Sequence, residues 1–156
     1  AGSDDLVQPS TVHLNNSWLT FFRDRRAKHI YASQGKDADA SHWDKPEPTQ
    51  LPNNNAGIEA NLLMSGHIVL VFNPQTSGRD PLAIGISKDQ GKSWSCIRNL
   101  QHGVSAGELQ KKKPHYEFSY PTVLQTKDGS IHVMYTYLRQ TIKYKRVTED
   151  WICNGQ

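Results

Sequence analysis

Long hydrophobic runs are missing from this chain of 156 residues. No apolar stretch approaches the ~18 residues that a membrane-crossing helix needs, so no membrane partner is expected. Charge of one sign is also scarce. Lys and Arg number 18 against 15 Asp and Glu, interspersed, and a formal net charge of +3 is too mild to argue for nucleic acid. Cysteine is nearly absent: Cys96 and Cys153 alone do not make a disulfide framework, and two free thiols are the expectation. No Cys/His spacing suggests zinc and the histidines are scattered, so neither a metal nor another cofactor is expected. Helical periodicity is absent as well. With 36% hydrophobic residues gathered in short strand-like runs, the chain is long enough for one all-β domain with a packed core.

What is present is repetition. Thr11-Val12-His13-Leu14, the turn Asn15-Asn16-Ser17, Trp18 to Arg23 and His29 to Ser33 form a first copy, ending in the proline-rich edge Pro46-Glu47-Pro48 to Leu51-Pro52. Prolines donate nothing to a ladder, so this last piece reads as an outer strand or linker. A second copy runs from Glu59-Ala60-Asn61-Leu62-Leu63 through Ser65-Gly66 and His67 to Asn73, then Pro81 to Ile86 and Trp94 to Ile97. A third has Pro121 to Gln125, Asp128-Gly129, Ile131 to Tyr137 and Thr141 to Lys145. Setting Ser17, His67 and Ser130 in register overlays the two inner strands of all three. A period of roughly 50 residues with about four short strands each is the pattern of β-propeller blades. The expected blades span about 6–52, 56–101 and 116–152 of a single domain, 1–156.

The second copy is organised by Ser87-Lys88-Asp89-Gln90-Gly91-Lys92-Ser93-Trp94, which fits Ser-x-Asp-x-Gly-x-Ser/Thr-Trp. Ser87 and Asp89 suit hydrogen bonding to the turn's own amides, Gly91 a φ > 0 position, and Trp94 a ring returned against the sheet. This hairpin is called an Asp-box. The first copy lacks one: counting back from Trp43, the Ser, Asp and Gly positions hold Lys36, Ala38 and Ala40, so a different turn geometry is expected. Asn15-Asn16-Ser17 is also a glycosylation sequon, relevant only to a secreted chain. The polar connection His102 to His115, with Lys111-Lys112-Lys113, reads as a solvated loop.

Gln8-Pro9-Ser10, Leu51-Pro52-Asn53, Phe72-Asn73-Pro74 and Glu117-Phe118-Ser119-Tyr120-Pro121, in this order around an Asp-box, resemble the Asp-box (BNR) repeat proteins related to exo-α-sialidases. The resemblance covers nearly the whole chain but only the C-terminal half of such a protein. It implies a sialidase-type propeller, of which three blades are half of a six-bladed ring. The ring is then completed by a missing N-terminal half or by a second chain in a homodimer. It further implies an acidic-sugar ligand gripped by arginines, with an Asp acid/base and a Tyr nucleophile activated by a Glu. A phenol approaches an anomeric centre bearing a carboxylate more easily than a second anion does, so sialidases depart from the two-carboxylate glycosidase scheme. Arginine suits the grip because its planar fork pairs bidentately with a carboxylate.

Position by position, the resemblance puts carboxylate-binding arginines at Arg23 and Arg79. The activating Glu falls on Gln8 and the nucleophile on Phe118, which has no hydroxyl. Tyr116 and Tyr120 share strand parity with Phe118 and offer a phenol nearby. Glu59 sits in an otherwise apolar inner strand, where it either faces the central channel or hydrogen-bonds a neighbouring blade. The third arginine and the acid/base Asp have no counterpart, so the isolated chain is not expected to hydrolyse sialosides. The expected function is binding or hydrolysis of terminal acidic sugars by a sialidase-like glycoside-hydrolase scaffold. The alternative is a non-catalytic carbohydrate- or protein-binding propeller, in which Arg23 and Arg79 make only local ion pairs and the tyrosines pack between blades.

Overall fold

Three antiparallel sheets follow one another along the chain. The computed structural model describes residues 5–104 and 116–155, so the lysine run Lys111-Lys112-Lys113 lies outside the described residues. The first sheet has strand order β1 (Leu6–Leu14), β2 (Ser17–Asp24), β3 (His29–Gly35), β4 (Glu47–Pro52). The second has β5 (Glu59–Leu62), β6 (Ile68–Phe72), β7 (Leu82–Ser87), β8 (Cys96–Gln101). The third has β9 (Phe118–Gln125), β10 (Ile131–Tyr137) and β11 (Thr141–Val147). The first strand of each sheet touches the first strand of the next, β1 against β5 and β5 against β9. Ser10 Oγ accepts from the Ala60 amide at 2.8 Å and Asn61 Nδ2 donates to the Val123 carbonyl at 3.3 Å across these seams. The sheets are therefore consecutive blades of a partial propeller, inner strands towards a common axis.

The sequence of β6 explains the stacking. Its run Ile68-Val69-Leu70-Val71-Phe72 is apolar without alternation because both faces are covered, and all five residues are buried. Ile68, Leu70 and Phe72 join Phe21, Ile30 and Leu51 between the first and second blades. Val69 and Val71 join Ile84, Ile131, Val133 and Tyr135 between the second and third. Each such side chain contributes about 1.5–3 kcal/mol on burial, which single blades could not collect alone.

The Asp-box closes the β7–β8 hairpin. Asp89 Oδ1 accepts from Ser87 Oγ and from the Ser93 amide, each at 2.8 Å, and Ser87 Oγ accepts from the Gly91 amide at 2.8 Å. Gly91 takes φ +83°, and a Cβ there would lie 2.8 Å from Leu19 Cδ2. Trp94 is buried edge-on to Phe21, with centroids 5.8 Å apart. The turn thus pins one blade to the preceding one. In the first blade Ala40 instead has positive φ, and Trp43 stays 42% exposed.

Three expectations are corrected. The cysteines are not free: Cys96 and Cys153 form a disulfide across 57 residues of sequence. The third sheet has three strands among the described residues rather than about four. The chain is also not wholly without helix, because Thr148 caps a one-and-a-half-turn helix, α1 (Glu149–Asn154), by accepting from the Trp151 amide. Six residues are too few to leave a periodic signal. Helix α1 packs on β7 and β8, which carries Cys153 to Cys96. Among the described residues no helix is long and apolar enough to cross a membrane.

Candidate functional site

Up-and-down connectivity sorts the loops by rim. The β2–β3, β4–β5, β6–β7 and β10–β11 connections, with the starts of β1 and β9, share one rim, while the Asp-box lies on the other. On the first rim the inner strands of blades one and three are interrupted in the same way. Register slips between Val7 and Ser10 in β1, and in β9 opposite the step from Met134 to Thr136. Gln8 (φ +52°) and Tyr120 (φ +50°) sit at these bulges, each followed by a proline. A bulge re-aims the side chain it carries. Phe118, two residues earlier, is wholly buried and stacked on Tyr137 with centroids 5.2 Å apart, whereas Tyr120 is 48% exposed. Equal parity along an unbroken strand therefore does not describe this segment.

Gln8 and Tyr120 flank Gly57. A Cβ on Gly57 would sit 3.0 Å from Tyr120 Cδ1 and 3.2 Å from Gln8 Oε1 and Nε2. The segment carrying Gly57 also anchors both candidate arginines. Arg23, near the end of β2, donates from Nη1 to the Asn55 carbonyl at 2.9 Å. Asn54 Nδ2 donates to the carbonyl of Gly78, next to Arg79. Arg23 Nε and Asn55 Oδ1 are buried with no hydrogen-bond partner among the described residues.

Arg79 lies over the Tyr120 ring, its Cζ 5.0 Å from the centroid. Arg79 Nη1 also pairs with Glu117 Oε1, and Arg139 Nε pairs with Glu117 Oε2. Ser119 Oγ donates to Oε1 at 2.6 Å. Main-chain bonds stitch the three segments together: the Phe118 amide donates to the Arg79 carbonyl at 2.9 Å and the Leu138 amide to the Glu117 carbonyl at 2.8 Å. Asn73 Nδ2 adds a bond to the Phe118 carbonyl at 2.9 Å.

The electrostatics follow. Burial pushes the Glu117 carboxyl up, but Ser119, Arg139 and Arg79 together outweigh it and hold the group ionised, below its ordinary value. Hydrogen bonding to Arg79 lowers the Tyr120 phenol, and the charges of Arg79 and Arg23 add to that against partial burial and the Glu117 charge. Both arginines thus bias one phenol, which puts Arg23, Arg79 and Tyr120 in one electrostatic neighbourhood. Glu59 stands apart. It pairs with Val71 at the start of β5, its carboxylate has no partner among the described residues, and burial raises its pKa. Tyr116 is exposed.

Sequence reasoning brought Gln8, Arg23, Arg79 and Tyr120 into view but missed Glu117 as the anchor, Gly57 as the contact between loops, and Arg139. Leu138 and Arg139 both have positive φ in the β10–β11 turn, a conformation usually signalled by Asn or Gly. Burial of Leu138 overrides that preference, so the turn carries no recognisable signature.

The sequence matches the BNR repeat-like domain family over residues 2–133. A Hadza microbial sialidase superposes with TM-score 0.76 at 15% identity, covering 97% of this chain and 29% of the sialidase. The NanB sialidase of Streptococcus pneumoniae gives 0.72 at 16% identity, covering 92% and 23%. An α-L-arabinofuranosidase from Fusarium graminearum gives 0.66 at 15% identity, covering 95% and 47%. The chain therefore spans less than half the length of each of these structures, and at these identities the likeness concerns the fold. Among curated proteins no sequence match is found.

Proposed function

Since the chain belongs to the BNR repeat-like domain family, we propose that it binds terminal acidic sugars at the rim formed by Arg23, Arg79 and Tyr120. The observation that carries this reading is the Arg79 guanidinium held over the exposed Tyr120 ring by a buried carboxylate, with Arg23 tied to the same loop segment. A sugar carboxylate gains charge-assisted, bidentate hydrogen bonds from such a fork, and Tyr120 presents a flat face and a hydroxyl to the ring. The neighbouring solved structures are glycosidases, which agrees with a carbohydrate ligand.

Tyr120, rather than Phe118, is the phenol suited to face an anomeric centre. Hydrolysis by this chain alone is not part of the proposal. Gln8, beside Tyr120, cannot take a proton, and the phenol is tuned by cations instead of a base. Turnover would need an acid/base group supplied by an N-terminal half or by a second copy completing the ring.

Isothermal titration with sialic acid and uronic acids tests the proposal, alongside Arg79→Ala and Tyr120→Phe. Binding that disappears in Arg79→Ala, with the fold retained by circular dichroism, supports it. Unchanged affinity would sink it. A second reading, a protein-binding propeller, is favoured by the exposed apolar row Leu124, Met134, Ile142 and Tyr144 on the third sheet. It predicts flat titrations with every acidic sugar.

A further inference from the structure

Arg139 is held differently from Arg79. Its Nε pairs with Glu117 Oε2, yet its side chain is 56% exposed and its two terminal nitrogens have no partner among the described residues. Arg79 is 21% exposed and spent on Glu117 and the Tyr120 ring. Beside Tyr120, on the outer flank of the third blade, lies a cleft of about 520 Å³ lined by Glu117, Tyr120, Thr136, Arg139 and Ile142. Arg139 is the only cation lining it among the described residues, and Glu117 inside the cleft wall is already neutralised by two guanidinium groups. The trio of Arg79, Glu117 and Arg139 thus keeps a net positive charge, and its free fork faces a space large enough for a sugar unit. Ile142, 62% exposed, supplies an apolar surface against which the C–H face of a pyranose can rest.

We infer that Arg139 forms a second anion subsite, so that the preferred ligand is a glycan carrying two acidic groups on adjacent units. One group is taken by Arg23 and Arg79, the other by Arg139. This rests on the acidic-sugar reading above and narrows it. Arg139 reaches Glu117 through Nε, which leaves the Nη pair free for a bidentate contact with a carboxylate or sulfate. The two arginines hang on the two oxygens of one carboxylate, so their anions must be close neighbours in the ligand.

The test is isothermal titration of the intact chain with three probes: a sialic acid methyl glycoside, a sialyl-galactoside and a disialoside. The last two have similar size but one and two carboxylates. The disialoside should bind about tenfold more tightly than the sialyl-galactoside, as one added charge-assisted fork contact permits. Arg139→Gln should reduce that preference to less than about twofold and leave the methyl glycoside affinity unchanged. Arg139→Lys keeps a cation on Glu117 without the fork, and should lose most of the preference while retaining the wild-type melting temperature. An unaltered preference in both variants overturns the inference. So does an equal loss for all three probes, which would make Arg139 only a support for Arg79. If the methyl glycoside binds and no preference exists, this inference alone fails. If no probe binds wild type, the acidic-sugar reading fails and takes it along.

Discussion

Arg79 covers the Tyr120 ring at 5.0 Å while the phenol edge remains open to solvent. The guanidinium stabilises the phenolate through its hydrogen bond and charge, so Tyr120 titrates below an ordinary tyrosine. UV difference titration of wild type against Tyr120→Phe isolates this group. Arg79→Gln should return its midpoint towards the ordinary value. A Tyr120 midpoint at or above that of free tyrosine in wild type contradicts the geometry.

Glu117 carries two guanidinium groups and a hydroxyl with only 7% of its side chain exposed. Glu117→Gln removes the charge yet keeps the shape, leaving Arg79 and Arg139 facing a neutral amide. The expected cost is about 2–4 kcal/mol, since a buried pair loses its compensation. Ser119→Ala should cost about 1 kcal/mol. Urea midpoints decide it, and a Glu117→Gln loss below about 0.5 kcal/mol would assign the carboxylate no stabilising part.

The blades were legible because each is written in the same order of turns and apolar runs, and β6 even shows by its unbroken hydrophobicity that both faces are covered. The Asp-box was legible because every bond in it is local: Ser87, Asp89, Gly91 and Ser93 satisfy one another within seven residues. The site was only half legible. Arg23 and Arg79 stand next to recognisable strand ends, but what positions them is non-local. Glu117 lies 38 residues from Arg79 and 22 from Arg139. The displacement of Tyr120 from the parity of Phe118 depends on a bulge whose partner is in β10, and only Tyr120-Pro121 echoing Gln8-Pro9 hinted at it. The disulfide was hidden for the same reason, since a helix too short to announce itself brings the two sulfurs together.

That disulfide has a measurable consequence. It closes a loop of 57 residues, for which lost unfolded-state entropy gives about 4 kcal/mol. Cys153→Ser, or reduction by dithiothreitol, should lower the melting temperature and release α1 first, seen as faster amide exchange in 149–154 than in β6. Equal melting temperatures with and without reductant would show that packing of Ile152 and Trp151 on β7 and β8 holds the helix unaided.

The two acidic turns fix the acid limit of the fold. Hydrogen bonds from Ser93, then Ser87, hold the Asp89 carboxyl down at about 2, and Thr126 and Ser130 do the same for Asp128. A carboxyl with a folded value below its unfolded one contributes stability that is complete above the unfolded pKa, near 4, and lost as pH falls through the folded value. Wild type should therefore exceed Asp89→Asn in melting temperature at pH 6, and the gap should close between about pH 4 and pH 2. Other carboxyls titrate equally in both proteins, so the difference reports Asp89 alone, and Asp128→Asn should behave in parallel on the opposite blade. A gap that stays constant from pH 6 to pH 2 would mean that the turn depends on the shape of Asp89 and not on its charge.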